Sequence, residues 1–329
     1  MNAIKIKALI GTALVATMWT SCSNEENLPG DSNYPDDNVI RVTANVDDVR
    51  TRSLTTETLD SFYVSIHNKD TSTYSYGYEP FKKVNGEWVS DNLLLWQNEN
   101  QPVDIIAVCN AGIEPNANIN LYNDAATQII DEDQREKSTF DKQDLLIYEV
   151  RDFVPKNGLV NKKLNIPFRH ALSLIYIRIT LGTEFNVPNI PAETPIDSIK
   201  ITGTYNWATV DFKQNPIAIN IISDPIMVDY TKYDIKPYHE QFSEAATLND
   251  HPEDLYACIL LPQTITAGEF QVKLWVGDKL YVWTSSTDIT LESGKKYELA
   301  LTMGEDVVTA GTITSQEWNS MTGGDLETE

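Results

Sequence analysis

Residues 174–181 read LIYIRITL, and this stretch decides the fold class of the chain. Every second residue from Ile175 to Leu181 is a large aliphatic one, and the positions between them carry Tyr, Arg and Thr. Successive side chains of a β-strand point to opposite faces, so the aliphatic ones share one face. An amphipathic helix would instead repeat its apolar residues every three to four positions. The stretch therefore predicts a strand with one face in a hydrophobic core.

Short apolar or alternating stretches recur through most of the chain. They are residues 39–46, 62–66, 103–108, 199–212, 270–276, 280–284 and 297–303. Turn signals separate them, and Asn85-Gly86 is the clearest, because a type I′ hairpin turn needs positive φ at both central positions. The chain also holds 15 tyrosines and 15 prolines, which favours sheet over helix. Many short strands joined by turns predict an all-β chain built from β-sandwiches.

One stretch departs from the strand pattern. Residues 123–137 group Ala125, Ile129 and Ile130 at helical spacing, ahead of the acidic residues 131–133. We therefore expect a helix there.

The number of domains follows from length and from proline usage. A mature chain of about 300 residues exceeds what one hydrophobic core usually holds, so we expect two domains. Residues 187–195 contain three prolines, which is typical of a linker. The prediction is two β-sandwich domains in tandem, an N-terminal one at 39–186 and a C-terminal one at 187–329.

The first 38 residues are expected to lie outside both domains. Lys5 and Lys7 precede an apolar run at 8–18, which is too short to cross a bilayer as a helix. This pattern predicts a signal peptide at 1–21. The polar residues 22–38 then predict a flexible tether.

The end of the signal peptide resembles a bacterial lipobox, in which the cysteine after the cut receives a diacylglycerol. Cys22 would be that lipidated residue, and Ser21 fits the small position before it, although Trp19 stands where leucine is usual. The alternative is an ordinary secretory signal with a coincidental cysteine. The stretch Asn24-Glu25-Glu26 makes an acidic start that resembles the signal that sends lipoproteins of Bacteroidetes to the cell surface. We therefore expect an outer-membrane lipoprotein held by the lipid on Cys22.

Charge excludes two classes of partner. The chain has 48 acidic and 25 basic residues, and removal of the signal peptide takes away two basic residues and no acidic one, leaving a net charge of about −25. Such a chain repels phosphates and anionic lipids. We expect neither nucleic-acid binding nor adhesion to acidic membranes.

The two remaining cysteines, Cys109 and Cys258, both lie in apolar runs. The sequence leaves open whether they are free and buried or joined in a disulfide, and burial of free thiols is the preferred interpretation.

Several segments, in their order along the chain, resemble the fimbrillin family of Bacteroidetes, the subunits and accessory proteins of surface fimbriae. The matching pieces are Cys22, residues 50–52, 86–88, 95–96, 143–146, 168–173 and 293–297. The resemblance implies transthyretin-like β-sandwiches. It also implies that an arginine-specific protease cuts after Arg50 or Arg52 and releases the first strand, at 39–46. A strand from a neighbouring subunit, here expected to be residues 309–318, would fill the groove left behind.

An enzymatic function is not expected. The histidines His67, His170, His239 and His251 are scattered, and no nucleophile, metal or phosphate-loop motif accompanies them. We expect His170 to bond to backbone at a strand edge, and residues 131–133 to be a solvated acidic helix end. The prediction names no catalytic residue, no metal and no cofactor.

Two alternatives to a stalk subunit stay open. One is a fimbrial anchor or tip protein that gives or takes only one strand. The other is a glycan-binding surface lipoprotein, in which Trp275 with Trp283, or the row Tyr74-Tyr76-Tyr78, would form a stacking face. A host or bacterial surface ligand stays open as a further partner, whichever of these roles the chain has.

Overall fold

The computed structural model describes residues 33–46, 54–110, 120–223, 232–304 and 306–318. Cys22, Arg50 and Arg52 lie outside these residues, as do the signal peptide and most of the tether. The described chain is almost all β, as the sequence predicts. Its α-helices are α1 (Lys137–Gln143) and α2 (Pro155–Gly158). Its strands are β1 (Val42–Val46), β2 (Ser61–Asn68), β3 (Tyr76–Val84), β4 (Glu87–Val89), β5 (Val103–Cys109), β6 (Ala125–Ile129), β7 (Leu146–Phe153), β8 (Leu164–His170), β9 (Ser173–Leu181), β10 (Ser198–Thr204), β11 (Trp207–Asp211), β12 (Ala218–Ile221), β13 (Tyr233–Ile235), β14 (Tyr238–Ser243), β15 (Glu253–Leu260), β16 (Gln263–Ile265), β17 (Gln271–Val276), β18 (Lys279–Thr284), β19 (Ile289–Leu291), β20 (Lys295–Met303) and β21 (Val308–Glu317).

The first sheet has seven strands in the order β1-β8-β7-β5-β2-β3-β4. Only the pairing of β1 with β8 is parallel. The sheet curves so that its edge strands, β1 and β4, approach each other. The residues next to them are hydrogen-bonded: the amide of Ile40 donates to the carbonyl of Leu94 at 2.9 Å, and the amide of Trp96 donates to the carbonyl of Asn38 at 2.9 Å. One face of the curved sheet encloses the first hydrophobic core. Asn85 and Gly86 join β3 to β4 with φ of 51° and 84°, which confirms the predicted turn.

The second core lies among the remaining sheets. A five-stranded sheet has the order β14-β15-β9-β20-β21, and a four-stranded sheet has the order β13-β10-β17-β18. The stretch at 174–181 forms most of β9, which pairs antiparallel with β15 and parallel with β20 in the middle of its sheet. Its alternating aliphatic side chains are buried in this core, as predicted.

β5 contacts both cores. Ile105 and Ala107 point into the first core, whereas Ile106 and Val108 belong to the second. A strand covered on both faces has no polar side, which is why residues 103–108 are almost continuously apolar. The first sheet is therefore packed between two hydrophobic cores.

The helix predicted at 123–137 is wrong. Residues 125–129 form β6, which pairs antiparallel with β11, and α1 begins only at Lys137. Gln128 in the strand and Ile130 directly after it are buried, while Ile129 between them is 43% exposed. The true period of two was hidden because a buried position is occupied by the polar residue Gln128.

Strand pairing crosses the boundary predicted at 187. β9 precedes that boundary, yet both of its neighbours, β15 and β20, follow it. β6 likewise pairs with β11 on the other side. The domain limits 39–186 and 187–329 stay a prediction.

Candidate functional site

The first candidate site is the place that β1 occupies in its sheet. β1 lies within residues 39–46, the strand that the family resemblance implies is removed. β1 has one strand neighbour, with Val42 opposite Leu164 and Val46 opposite Phe168. Val42 and Val46 are buried in the first core, and Ile40 joins them there. Burial of three such side chains contributes about 5 to 9 kcal/mol. β1 is therefore an edge strand that fills part of a core.

Contacts at both ends hold β1 in place. At its end, the hydroxyl of Thr56 accepts from the amide of Val46 at 2.9 Å and donates to the carbonyl of Val46 at 3.1 Å. Before its start, Arg41 pairs with Asp37 at 2.6 Å, and the hydrogen bond to Arg41 holds the pKa of Asp37 well below its ordinary value. Both of these charged side chains are exposed, so the ion pair adds little stability.

The C-terminal strand, the expected donor, lies in the second half of the fold. β21 pairs antiparallel with β20 at the edge of the five-stranded sheet, from Lys295 opposite Glu317 to Met303 opposite Val308. Trp318 follows it directly and is buried. A donated β21 would have to leave β20 and withdraw this tryptophan.

Three of the segments that carry the sequence resemblance meet at one place, which we call the motif junction: residues 143–146, 168–173 and 293–297. Backbone hydrogen bonds connect them, because the amide of Ala171 donates to the carbonyl of Leu145 at 2.9 Å and that of Gly294 to the carbonyl of Leu172 at 2.9 Å. Gly294 has a φ of 72°, and a Cβ at this position would lie 3.1 Å from the carbonyl oxygen of His170. Glycine is favoured here because the positive φ strains other residues and a Cβ would lie tightly against that oxygen.

The side chains of the motif junction form a buried node. Nδ1 of His170 lies 2.8 Å from Oδ1 of Asp144, and both side chains are fully buried. The ring of His170 stacks on Trp318 with centroids 4.2 Å apart and planes 2° apart. The expectation that His170 bonds to backbone is therefore wrong: its partner is a carboxylate. Trp318 was not predicted to be a core residue, because a single tryptophan before a polar tail gives no periodic signal.

A second histidine–carboxylate pair lies beside the proline-rich stretch at 187–195. Asp254 is fully buried and accepts from Thr194, from the hydroxyl of Tyr256 at 2.9 Å and from Nε2 of His239 at 2.7 Å. The hydrogen bond to Asp254 raises the pKa of His239. Burial raises the pKa of Tyr256 well above its ordinary value, so its hydroxyl stays a donor.

The aromatic residues proposed as a glycan platform do not share a face. Trp283 lies opposite Val272, so it shares the face of Val272, where it packs edge-on against Phe270. Trp275 lies an odd number of residues from Val272 along β17 and is therefore on the opposite face. Tyr76 packs on the first core and Tyr78 on the second. Tyr74 belongs to a 3₁₀ turn outside β3. Trp88 packs on Phe62 and Trp96 lies in the first core, as expected for core residues.

Both remaining cysteines are free and buried, which agrees with the preferred interpretation. Burial raises the pKa of Cys109 to about 12, and that of Cys258 is also raised by burial. Both stay thiols at neutral pH and are poor nucleophiles.

The described residues bring no three His, Cys, Asp or Glu side chains together in a way that could hold a metal ion. Residues 131–133 are not at a helix end: Asp133 pairs with Arg135 at 2.6 Å and with Lys236 at 3.2 Å. In the described ranges no helix combines the length and the apolar character needed to cross a membrane.

Two of three comparisons with known proteins find matches, one to a family profile and one to solved structures of similar fold. A family profile described as "Fimbrillin-like" matches residues 43–318. No curated protein sequence matches. A cell adhesion protein from Bacteroides uniformis has a similar structure, with a TM-score of 0.57, 13% sequence identity and coverage of 86% of this chain and 99% of its own. A fimbrial protein from Bacteroides vulgatus has a TM-score of 0.54 and 14% sequence identity, and the match covers 85% of this chain and 99% of its own. The tip fimbrial protein Mfa3 from Porphyromonas gingivalis, truncated at its C-terminus, has a TM-score of 0.50 and 9% sequence identity, and the match covers 85% of this chain and 99% of its own.

Proposed function

The chain belongs to the fimbrillin-like family, and from that premise we propose that it is a structural and adhesive subunit of cell-surface fimbriae. It is exported as a lipoprotein and anchored in the outer membrane through Cys22. An arginine-specific protease cuts after Arg50 or Arg52, β1 leaves, and a strand of another fimbrial subunit takes its place.

The observation that carries this proposal is the position of β1. β1 has one ladder to break, with β8, and residues 38–40 before it give up two backbone hydrogen bonds to residues 94–96, while the other strands of the sheet stay paired. It would uncover Leu164, Ile166 and Phe168, which are fully buried while β1 is present. An incoming strand regains backbone hydrogen bonds with β8 and pockets for its own apolar side chains.

Limited proteolysis of the chain that begins at residue 22 tests the proposal. We expect an arginine-specific protease to cut first within 47–53, and the cut chain to form oligomers as its concentration rises. Other arginines are worse targets. Arg151, Arg169 and Arg178 lie in strands, the carbonyl of Arg41 accepts from the amide of Leu164, and Arg135 is held by Asp133. The matched control is Arg50→Lys with Arg52→Lys, which keeps the charge and removes both sites. First cuts elsewhere, or a cut chain that stays monomeric and keeps β1 bound, would contradict strand exchange.

The anchor is tested separately. We expect the unaltered protein to fractionate with outer membranes and to carry fatty acyl chains, and Cys22→Ser to lose both properties. Acylation of the Cys22→Ser chain, or its undiminished membrane fractionation, would contradict anchoring through this residue.

A further inference from the structure

The buried node of the motif junction connects two segments that are far apart in the sequence. On one side, the amide of Leu54, the first described residue after 47–53, donates to Oδ2 of Asp144 at 3.2 Å. On the other side, Asp144 bonds to His170, whose ring stacks on Trp318. The amide of Trp318 donates to the carbonyl of Gly294 at 2.8 Å, directly after β21 ends.

We propose that the Asp144–His170–Trp318 node couples two segments, residues 54–59 and β21, so that the native position of one stabilises the native position of the other. Each of the two segments is held at one end by the node. Residues 54–59 bond to the edge strand β1 through Thr56, and β21 is itself the edge strand of its sheet. Release of one segment weakens the hold on the other.

The coupling follows from what a buried carboxylate requires. Asp144 has no exposed side-chain area, and its partners include one backbone donor, from Leu54, and one ring donor, from His170. A carboxylate that loses a donor in such a place must move or recruit another one, because buried polar groups are costly when unsatisfied. Any movement of Asp144 alters the orientation of the His170 ring and therefore its stacking on Trp318.

Two further atoms show that few hydrogen bonds hold the side chains of the node. Nε2 of His170 and Nε1 of Trp318 are buried, and neither has a hydrogen-bond partner among the described residues. The orientation of the imidazole therefore depends on Asp144 at one nitrogen and on the stacking of its ring. This coupling rests on the proposed function. It would connect residues 54–59, which follow the proposed cleavage region, with β21, the expected donor strand.

Hydrogen exchange on the uncut chain tests the coupling. Leu54→Pro removes the amide that bonds to Asp144, and we expect exchange of the β21 amides to rise about tenfold, a typical size for coupling between sites. Exchange in β14, the other edge of the same sheet, should stay unchanged. The control is Thr56→Val, which removes the hydroxyl bonded to Val46 and leaves the Leu54 amide in place, and which should affect β1 but not β21.

The reverse experiment keeps the test decisive. Coupling is reciprocal, so Trp318→Leu should speed exchange at Thr58 and Leu59, whose amides bond to the carbonyl of Thr55, by a similar factor. The proposal is overturned if Leu54→Pro leaves β21 at the rate of the unaltered chain, if it loosens β14 equally, or if Trp318→Leu leaves residues 54–59 unaffected. The exchange experiment uses no protease. Its failure would overturn the coupling alone, whereas resistance to the arginine-specific protease would contradict the proposed function alone.

Discussion

Asp144 and Asp254 are both buried carboxylates, and each holds a histidine. They differ in the exposure of that histidine: His170 is fully buried, whereas the side chain of His239 is 42% exposed. A proton can therefore reach His239 without unfolding of its surroundings. The His239–Asp254 pair is therefore expected to make stability depend on pH near neutrality.

The prediction for His239 follows from the direction of its pKa shift. Its pKa in the folded chain is raised above the value of about 6.5 in the unfolded chain, so the protonated form is stabilised by folding. This stabilisation is complete below pH of about 6.5 and is lost as pH rises through the folded pKa. We expect urea unfolding to show a gap in stability between the unaltered chain and His239→Gln that narrows as pH rises. A gap that stays constant from pH 5.5 to 8.5 would contradict this assignment.

Two glycines with positive φ allow the cost of backbone strain to be distinguished from the cost of a steric clash when each is replaced by alanine. Gly86 has a φ of 84° and open space around the position of a Cβ, whereas at Gly203, with a φ of 93°, a Cβ would lie 2.2 Å from the carbonyl oxygen of Glu269. We expect Gly86→Ala to cost about 1 kcal/mol and Gly203→Ala at least twice as much in chemical unfolding. Equal costs would mean that β10 moves away from Glu269 freely.

At the scale of elements, the sequence predicted strands wherever apolar side chains alternate without interruption. β9 is the clearest case, and the turn at Asn85-Gly86 followed from its own conformational requirement. β6 was missed because Gln128 occupies a buried position. Its partner β11 comes from a segment about 80 residues later in the chain, which no local pattern can show. The His170–Asp144 pair was missed for the same reason, since the two residues meet only through strand pairing.

Paired substitutions distinguish the strand β6 from the helix predicted there. On a helix Ile129 and Ile130 would share one apolar face, whereas next to β11 only Ile130 is buried. We expect Ile130→Ala to lower the free energy of unfolding by about 2 to 5 kcal/mol and Ile129→Ala by less than about 1 kcal/mol. Similar losses at both positions, measured by urea unfolding, would favour the helical arrangement.

At the scale of the whole molecule, two cores lie on the two faces of one sheet. Segments with separate cores often unfold independently when the contact between them is small and polar. Here the contact is β5, whose Ile105 packs into one core and Ile106 into the other, and both are almost completely buried. Loss of either core therefore strips one face of the same strand.

This arrangement predicts one cooperative unfolding transition for residues 33–318, despite a length that suggests two domains. Calorimetry should give equal calorimetric and van't Hoff enthalpies. Ile105→Ala and Ile106→Ala should lower the Tm of that single transition by comparable amounts, because each opens a cavity on one face of β5. If instead two transitions appear, and each substitution shifts only one of them, the two cores are independent and the sheet between them transmits no cooperativity. In that case the coupling between residues 54–59 and β21 would have to be carried by the buried node alone.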